Sequence, residues 1–468
     1  MSARAKRVAV IGLDCAAPEL VFRRFAEALP NLGRLRRSGV WGELRSVVPA
    51  ITIPAWACSM SGLDPGQLGI YGYRSREGHG YEQRLVDATA LRRVCVWDLL
   101  SAAGEPVIVL GVPPSYPPRP LNGVQVGCLL TPHTGVSYTY PPTLKGEIAE
   151  VLGEYVVDVE EFRTDRKERL LEEIAEMTRR RFTLFRHLLR SRAWTFAMMV
   201  EIGVDRMHHA FWAELDESHP RHVPGNPHAG ALLAYYRLVD AELGRVLDEL
   251  EDDDALLVLS DHGARPMLGG VRINEWLRRE GYLVLRREVK QTTPVTADLV
   301  DWSRTRAWGA GGYCGRVFLN VRGREPEGVV DAEQLAALRD ELSAGLAGIR
   351  DPQGRPLDTR VFVPQELYRE CRGVPPDLIV YFGGLDYRAV GSVGPGGLFA
   401  DNDLGPDGAN HDEQGIFLLR APGVPSDREL EGLRLIDCGP TLLELLGQPV
   451  PEGLVGRPMS FSESPRDR

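Results

Sequence analysis

Short apolar runs rich in Val, Ile and Leu recur along the chain: VAVIGL (8–13), PVIVLG (106–111), TFAMMVEIG (195–203), ALLVLS (255–260), DLIVYF (377–382) and GIFLL (415–419). Runs of this length and branching predict buried strands. Between them the period changes. DRKERLLEEIAEMTRRRFTLFRHLLR (165–190) repeats Leu171, Ile174, Met177, Phe185 and Leu188 at three-to-four spacing with charge on the other face, and LLAYYRLVDAELGRVLDEL (232–250) behaves the same way. Both predict amphipathic helices. Strands alternating with helices predict an α/β fold with a mostly parallel central sheet covered on both faces. Such folds bind ligands at the carboxyl ends of their strands.

Two regions break the rhythm. Residues 112–143 (VPPSYPPRP, then TPHTGVSYTYPP) are rich in Pro, Gly and Tyr and predict either a long ordered excursion near a site or a surface loop. Residues 271–375 carry WGAGGYCGRVFLNVRGREPEG and a further helical stretch. They predict an inserted smaller cap subdomain, which leaves 1–270 and 376–468 for the catalytic core. The tail SFSESPRDR is expected to fray.

Composition narrows the partners. With 43% hydrophobic and 26% charged residues the chain is an ordinary globular protein, and a net charge of −10 argues against a nucleic-acid-binding surface. Seven cysteines lie singly with no CxxC pair, as expected of reduced thiols. The first apolar run stops at Asp14, so it reads as a strand and not as a signal peptide. No stretch reaches membrane-spanning length. The expectation is a cytoplasmic protein with a small-molecule partner and no membrane partner; self-association is left open.

The chemistry gathers where strands end. The first run ends in Asp14, and ALLVLS runs into Asp261-His262-Gly263. Asp205 and His209, four apart in VDRMHHAF, share one face if that stretch is helical. His411 lies in LGPDGANHDEQG, just ahead of GIFLL. Carboxylate and imidazole are the donors of a zinc site without sulfur. Adjacent strand residues point to opposite faces, so Asp261 and His262 can share an ion only where the chain turns, which Gly263 would permit. Each signal has an ordinary alternative: a turn at the DH pair, a surface ion pair for DxxxH, a solvated His411, an N-cap role for Asp14. Thr52 lies between Pro49 and Pro54, before the helix-like AWACSMSG. There it can cap the helix or, beside the positive end of the helix dipole, serve as a nucleophile toward phosphate or sulfate.

Taken together, IGLD, P-x-x-T-x-P with SGLDPGQLGI, DxxxH, SDHG, NHD and the closing DCGPTLLELLG resemble the alkaline phosphatase superfamily, in its type I phosphodiesterase/nucleotide pyrophosphatase branch. The resemblance spans nearly the whole chain and implies an alkaline phosphatase-like three-layer fold. It also implies two divalent ions, zinc first and manganese second. Asp205, His209 and His411 would hold one; Asp14, Asp261, His262 and the Thr52 hydroxyl would hold the other. Attack by Thr52, a phosphothreonine intermediate and hydrolysis by water would follow.

Tyr73, followed by Arg74, stands where eukaryotic-type members carry an asparagine that binds a phosphoryl oxygen. Either residue could take over as substrate-binding donor; the alternative for Arg74 is a surface pairing with Glu77. Arg265 and Arg316 are further candidate donors, and Tyr116, Tyr138, Tyr140, Trp308 and Tyr313 are candidate stacking residues. His208, Trp212, Asn274 and Trp276 fall near the expected ligands in sequence, with packing the simpler role. The leading expectation is a metal-dependent hydrolase of phosphoric esters acting on a phosphate-ester or nucleotide-like substrate. A phosphomonoesterase or phosphoryl transferase on the same site is the runner-up, and a non-catalytic binding protein the alternative from another class.

Overall fold

Val8–Leu13 is buried at every residue. Ala9, Ile11 and Leu13 enter one core, and Val8 and Val10 enter another. Successive strand side chains face opposite ways, so a run that is apolar throughout requires cover on both sides. Helices Lys167–Ser191 and Ala231–Leu247 supply it on one side, through Ile174, Phe185, Leu232 and Val239. Thr52–Ser61, Val96–Ala102 and Cys438–Leu445 supply it on the other, through Trp56, Trp97 and Leu442. The outcome is the three-layer α/β arrangement. This computed structural model describes residues 4–92, 94–402 and 405–461, so most of the tail expected to fray lies outside the described residues.

Among the described residues the central sheet has ten strands. Ala255–Leu259, Val8–Leu13, Phe196–Glu201, Val107–Leu110 and Gly123–Val126 lie side by side and parallel. Gln414–Arg420, the GIFLL run, enters antiparallel between Ala255–Leu259 and Val40–Arg45. Gly12 is paired with both Val200 and Leu259. The three central strands therefore end at one level, and the residues that follow them share one rim. The excursion at 112–143 contributes strands Gly123–Val126 and Thr139–Tyr140 to the sheet.

A third hydrophobic core draws on residues from Val271 to Val393. Ala307–Ala310, Gly315–Leu319, Leu378–Tyr381 and Arg360–Phe362 form an antiparallel sheet over it. DLIVYF was expected beyond 375, in the catalytic core, but it pairs here instead. The segment tied to this third core thus continues past 375. A fully buried apolar strand reads alike in either sheet, and the pattern cannot choose its partners. This part of the chain grips the segment leading to Thr52: the Ala50 N–H donates to the Tyr381 hydroxyl at 2.9 Å, and the Tyr368 hydroxyl donates to the Val48 carbonyl at 2.6 Å. Among the described residues no helix is long and apolar enough to cross a membrane.

Candidate active site

The rim of the central sheet gathers the residues singled out from the sequence. Asp14 follows Val8–Leu13, and the chain bends at Asp261 and His262 after Ala255–Leu259. Asp205 and His209 lie on helix Gly203–Leu215, which follows Phe196–Glu201. His411 arrives on Ala409–Asp412, which pairs antiparallel with Gly263–Pro266 and sets His411 opposite Ala264. Donor atoms of Asp205, His209 and His411 lie within 4.8 Å of one another, as do those of Asp14, Asp261 and His262. All six side chains are buried. The two groups adjoin, since the rings of His262 and His411 stack at 3.8 Å.

Four of the six are anchored by one atom and leave another without a hydrogen-bond partner. The Trp56 indole N–H donates to Asp14 Oδ2 at 2.7 Å, while Asp14 Oδ1 has no partner. The Cys15 N–H donates to Asp261 Oδ1 at 3.2 Å, while Asp261 Oδ2 accepts no hydrogen bond. His411 Nδ1 donates to the Ala50 carbonyl at 2.8 Å, and its Nε2 is unpaired. His209 Nδ1 donates to Asp407 Oδ1 at 2.8 Å, and again Nε2 makes no hydrogen bond. His262 Nδ1 bonds the Gly263 carbonyl at 3.1 Å and turns Nε2 toward the Thr52 hydroxyl at 3.4 Å. Fixing one ring nitrogen sets which nitrogen faces the site.

Several of these anchors were missed in the sequence. Trp56 is four residues after Thr52 and reads as core. Its ring packs against Gly12, where an added Cβ would fall 2.4 Å from Trp56 Cη2. Cys15 adopts φ 67°, a left-handed conformation that costs a non-glycine residue about 1–2 kcal/mol. Asp407 sits in the quoted LGPDGANHD segment, but nothing in the pattern marks it as the partner of His209. Gly263 serves differently from the expectation. It lies in extended strand, and its need for glycine is the Gln414 carbonyl, 2.0 Å from where a Cβ would stand.

Thr52 is the first residue of helix Thr52–Ser61, with Ile51 in the capping position. Its expected N-cap role therefore does not hold, and its hydroxyl faces His262. The Tyr73 phenol also approaches this hydroxyl. Burial, with Asp14 and Asp205, pushes the phenol's ionisation up, while Arg206 and Thr52 draw it back.

Burial pushes the carboxyls of Asp14 and Asp261 well above their usual range, and neighbouring carboxylates add to the effect. Asp205 runs the other way: burial opposes its ionisation, but His209 and Arg206 outweigh it and hold the carboxyl well below the usual range. Burial likewise opposes protonation of His209, yet Asp407 and Asp205 raise it to about 9. Burial lowers His262 to about 4, and burial together with His262 lowers His411.

A cavity of about 470 Å³ opens beside Asp205, with Tyr73, Arg74, Arg206, Tyr313 and Arg316 in its wall. Tyr313 comes from the cap and stacks on His209 at 4.8 Å. Among the described residues it is the one of the named stacking candidates that lies in this wall; Tyr138 packs in a core of the central sheet and Trp308 in the core of residues 271–393. Arg74 does not pair with Glu77, which binds Arg84 at 2.8 Å. Arg265 is engaged with Asp386 at 2.7 Å, away from the cavity. His208 bonds the Tyr236 hydroxyl, with Trp212 edge-on to its ring; Asn274 holds the Gly309 and Gly391 carbonyls, and Trp276 packs in the cap core.

Residues 8–403 match the family described as type I phosphodiesterase/nucleotide pyrophosphatase. A search of curated proteins found no significant match. Among solved structures, murine ectonucleotide pyrophosphatase/phosphodiesterase 5, described as an inactive threonine-to-alanine variant in complex with AMP, aligns with a TM-score of 0.55 at 13% identity. That alignment covers 95% of this chain and 96% of the other. The human protein of the same name aligns with a TM-score of 0.53 at 13% identity, over 98% and 97% of the two chains. At such identity the likeness speaks for the fold. The family match spans most of the sequence, and on that ground the chain belongs to the type I phosphodiesterase/nucleotide pyrophosphatase family and is a hydrolase of phosphoric ester or phosphoanhydride bonds.

Proposed function

We propose that this chain cleaves phosphodiesters and nucleotide-type esters by passing the phosphoryl group to Thr52 and then to water, with two divalent ions in the paired donor groups. The observation that carries this reading is the set of four buried donor atoms without hydrogen-bond partners: Asp14 Oδ1, Asp261 Oδ2, His209 Nε2 and His411 Nε2. An unsatisfied buried polar atom costs about 1–3 kcal/mol, and four converging ones fit cations. Oxygen and nitrogen donors without thiolate suit zinc, which we assign; manganese accepts the same set.

Bound there, such ions offset phosphoryl charge and make an oxygen nucleophile easier to deprotonate. The chain supplies the rest. Thr52 Oγ1 attacks phosphorus and the leaving oxygen departs, giving phosphothreonine; attack by water on the same phosphorus restores the hydroxyl. Asp14, Asp261 and His262 form the donor group that meets the Thr52 hydroxyl through His262, and Asp205, His209 and His411 stand on the side we assign to water. Tyr73 donates from its phenol to the phosphoryl oxygen, in the place of the family asparagine. The AMP complex of the murine relative supports a nucleoside phosphate as the retained group.

A second reading, phosphomonoesterase or phosphoryl transferase, draws on the five arginines in the cavity wall, since a dianion wants more positive charge. The non-catalytic alternative is set aside, because the chain belongs to a family of hydrolases. The test joins three measurements: the metal content of the purified protein, bis-p-nitrophenyl phosphate against p-nitrophenyl phosphate, and Thr52→Ala. We expect bound zinc, preference for the diester, and loss of turnover in a variant that melts like the parent. Full activity in Thr52→Ala would end the covalent step; preference for the monoester would favour the second reading.

A further inference from the structure

We propose that Arg316 and Arg74 form a site for a second phosphate of the substrate, separate from the phosphoryl group that reacts. This rests on the phosphoric-ester reading above and adds a determinant of substrate choice. Five arginines line the cavity, against one carboxylate, Asp205. Arg206 is committed to Asp158 and Asp205, and Arg163 to Asp407. Arg316 differs. Its residue is 8% exposed, and its guanidinium donates to neutral acceptors, the Arg74 carbonyl and Gln83 Oε1. No carboxylate among the described residues lies within ion-pair distance of it.

Burying an unpaired charge is costly, and here a second cation, Arg74, lines the same cavity. Burial and the Arg74 charge both act against the protonated guanidinium of Arg316. A bound dianion relieves both effects, and the planar fork of Arg316 suits phosphate. The fork fits close to Gly72, where an added Cβ would stand 3.2 Å from its nitrogen.

The site is displaced from the reacting group. Arg206 contacts the rim carboxylate Asp205, whereas Arg316 contacts the Arg74 carbonyl and Gln83. There is also room beyond. A second cavity, of about 440 Å³, shares Arg74, Gly311 and Gly391 with the first. The second phosphate can belong to a polyphosphate chain or be a separate ester on the retained group.

The experiment compares Arg316→Gln with the parent, both metal-loaded, on three probes. These are thymidine 5′-(p-nitrophenyl phosphate), its 3′-phosphorylated analogue, and ATP. We expect kcat/KM to fall roughly tenfold more on one doubly charged probe than on the first, the scale of a charged hydrogen bond. A selective loss on ATP places the phosphate on the chain; one on the 3′-phosphate places it on the retained group. Arg316→Lys should recover part of the loss. Equal losses on all three probes, or none, would overturn the site.

Should the parent cleave none of the probes, the phosphodiesterase reading fails first. The site is then read by calorimetry with inorganic pyrophosphate: roughly tenfold weaker binding in Arg316→Gln supports it, and an unchanged Kd refutes it. Should Arg316→Gln not fold, Arg74→Gln, at an exposed position, carries the same comparisons and outcomes.

Discussion

Replacing Asp407 by asparagine tests whether the donor groups are held ready by their partners. Asp407 is buried, accepts from His209 Nδ1 at 2.8 Å and accepts from Arg163 Nε at 2.8 Å. The substitution keeps the shape and removes the charge. His209 Nδ1 then keeps only neutral acceptors, the amide oxygen and the Ala409 carbonyl at 3.0 Å, and Arg163 loses its carboxylate. Removing such a partner of a ligating histidine costs about 10- to 100-fold in metal affinity, or ~1.4–2.7 kcal/mol. The effect should fall on the Asp205/His209/His411 group and spare the other. Competition with a graded chelator should therefore strip one ion from Asp407→Asn well before the second, while the parent gives up its first ion later. Imidazole NMR of the metal-free protein supplies an independent readout, since without the Asp407 charge His209 should give up its proton at lower pH. Two ions held as tightly as in the parent, with an unchanged His209 spectrum, would refute the claim that Asp407 prepares this site.

Trp56→Phe removes the donor to Asp14 Oδ2 and keeps most of the ring; affinity at the Asp14/Asp261/His262 group should fall about tenfold by chelator competition, and an unchanged value would show the indole to be packing alone. Tyr73→Phe should lower kcat by ~10²-fold with KM little changed in steady-state assays, whereas unaltered kcat would remove Tyr73 from the reaction. In the metal-free protein, the raised His209 pKa gives stability that is full below its ordinary 6.5 and lost as pH rises through about 9. The raised carboxyls of Asp14 and Asp261 act in the same direction, because rising pH removes protons that their folded forms retain. The metal-free Tm should therefore fall between pH 6.5 and 9 and zinc should abolish the slope; a metal-free Tm that climbs over this interval would contradict the electrostatics.

The parts legible in the sequence are those with a period or a fixed spacing. The apolar runs marked the central strands because both faces of that sheet are covered. The i, i+4 spacing placed Asp205 and His209 on one helical face because Gly203–Leu215 is helical. Partner choice was not legible: DLIVYF joined the cap sheet, since burial gives any such strand the same composition. The anchoring contacts were equally hidden. Trp56 to Asp14, Cys15 to Asp261, and Ala50 to His411 all join residues distant in sequence, and two of the three use backbone atoms. A backbone amide or carbonyl has no residue identity to read. Asp407 was closer to legible, standing four residues before His411, yet its role depends on a helix almost two hundred residues earlier in the chain.

These hidden contacts explain why the rim can carry charge in a buried place. Asp14, Asp261, His209 and His411 each have one polar atom satisfied by the protein, so each can be held without a compensating ion on that side. In these four the other atom makes no hydrogen bond, a cost that a cation would offset under the proposed reading. Satisfying both atoms within the protein would make the fold more stable and the site inert. Satisfying neither would leave the side chains free to turn away, so that binding would first have to order them. Half-satisfaction keeps the donors rigid and their free atoms convergent. The left-handed Cys15 belongs to the same balance: its backbone accepts a strained conformation to aim one N–H at Asp261, and so fixes which carboxylate oxygen faces the site.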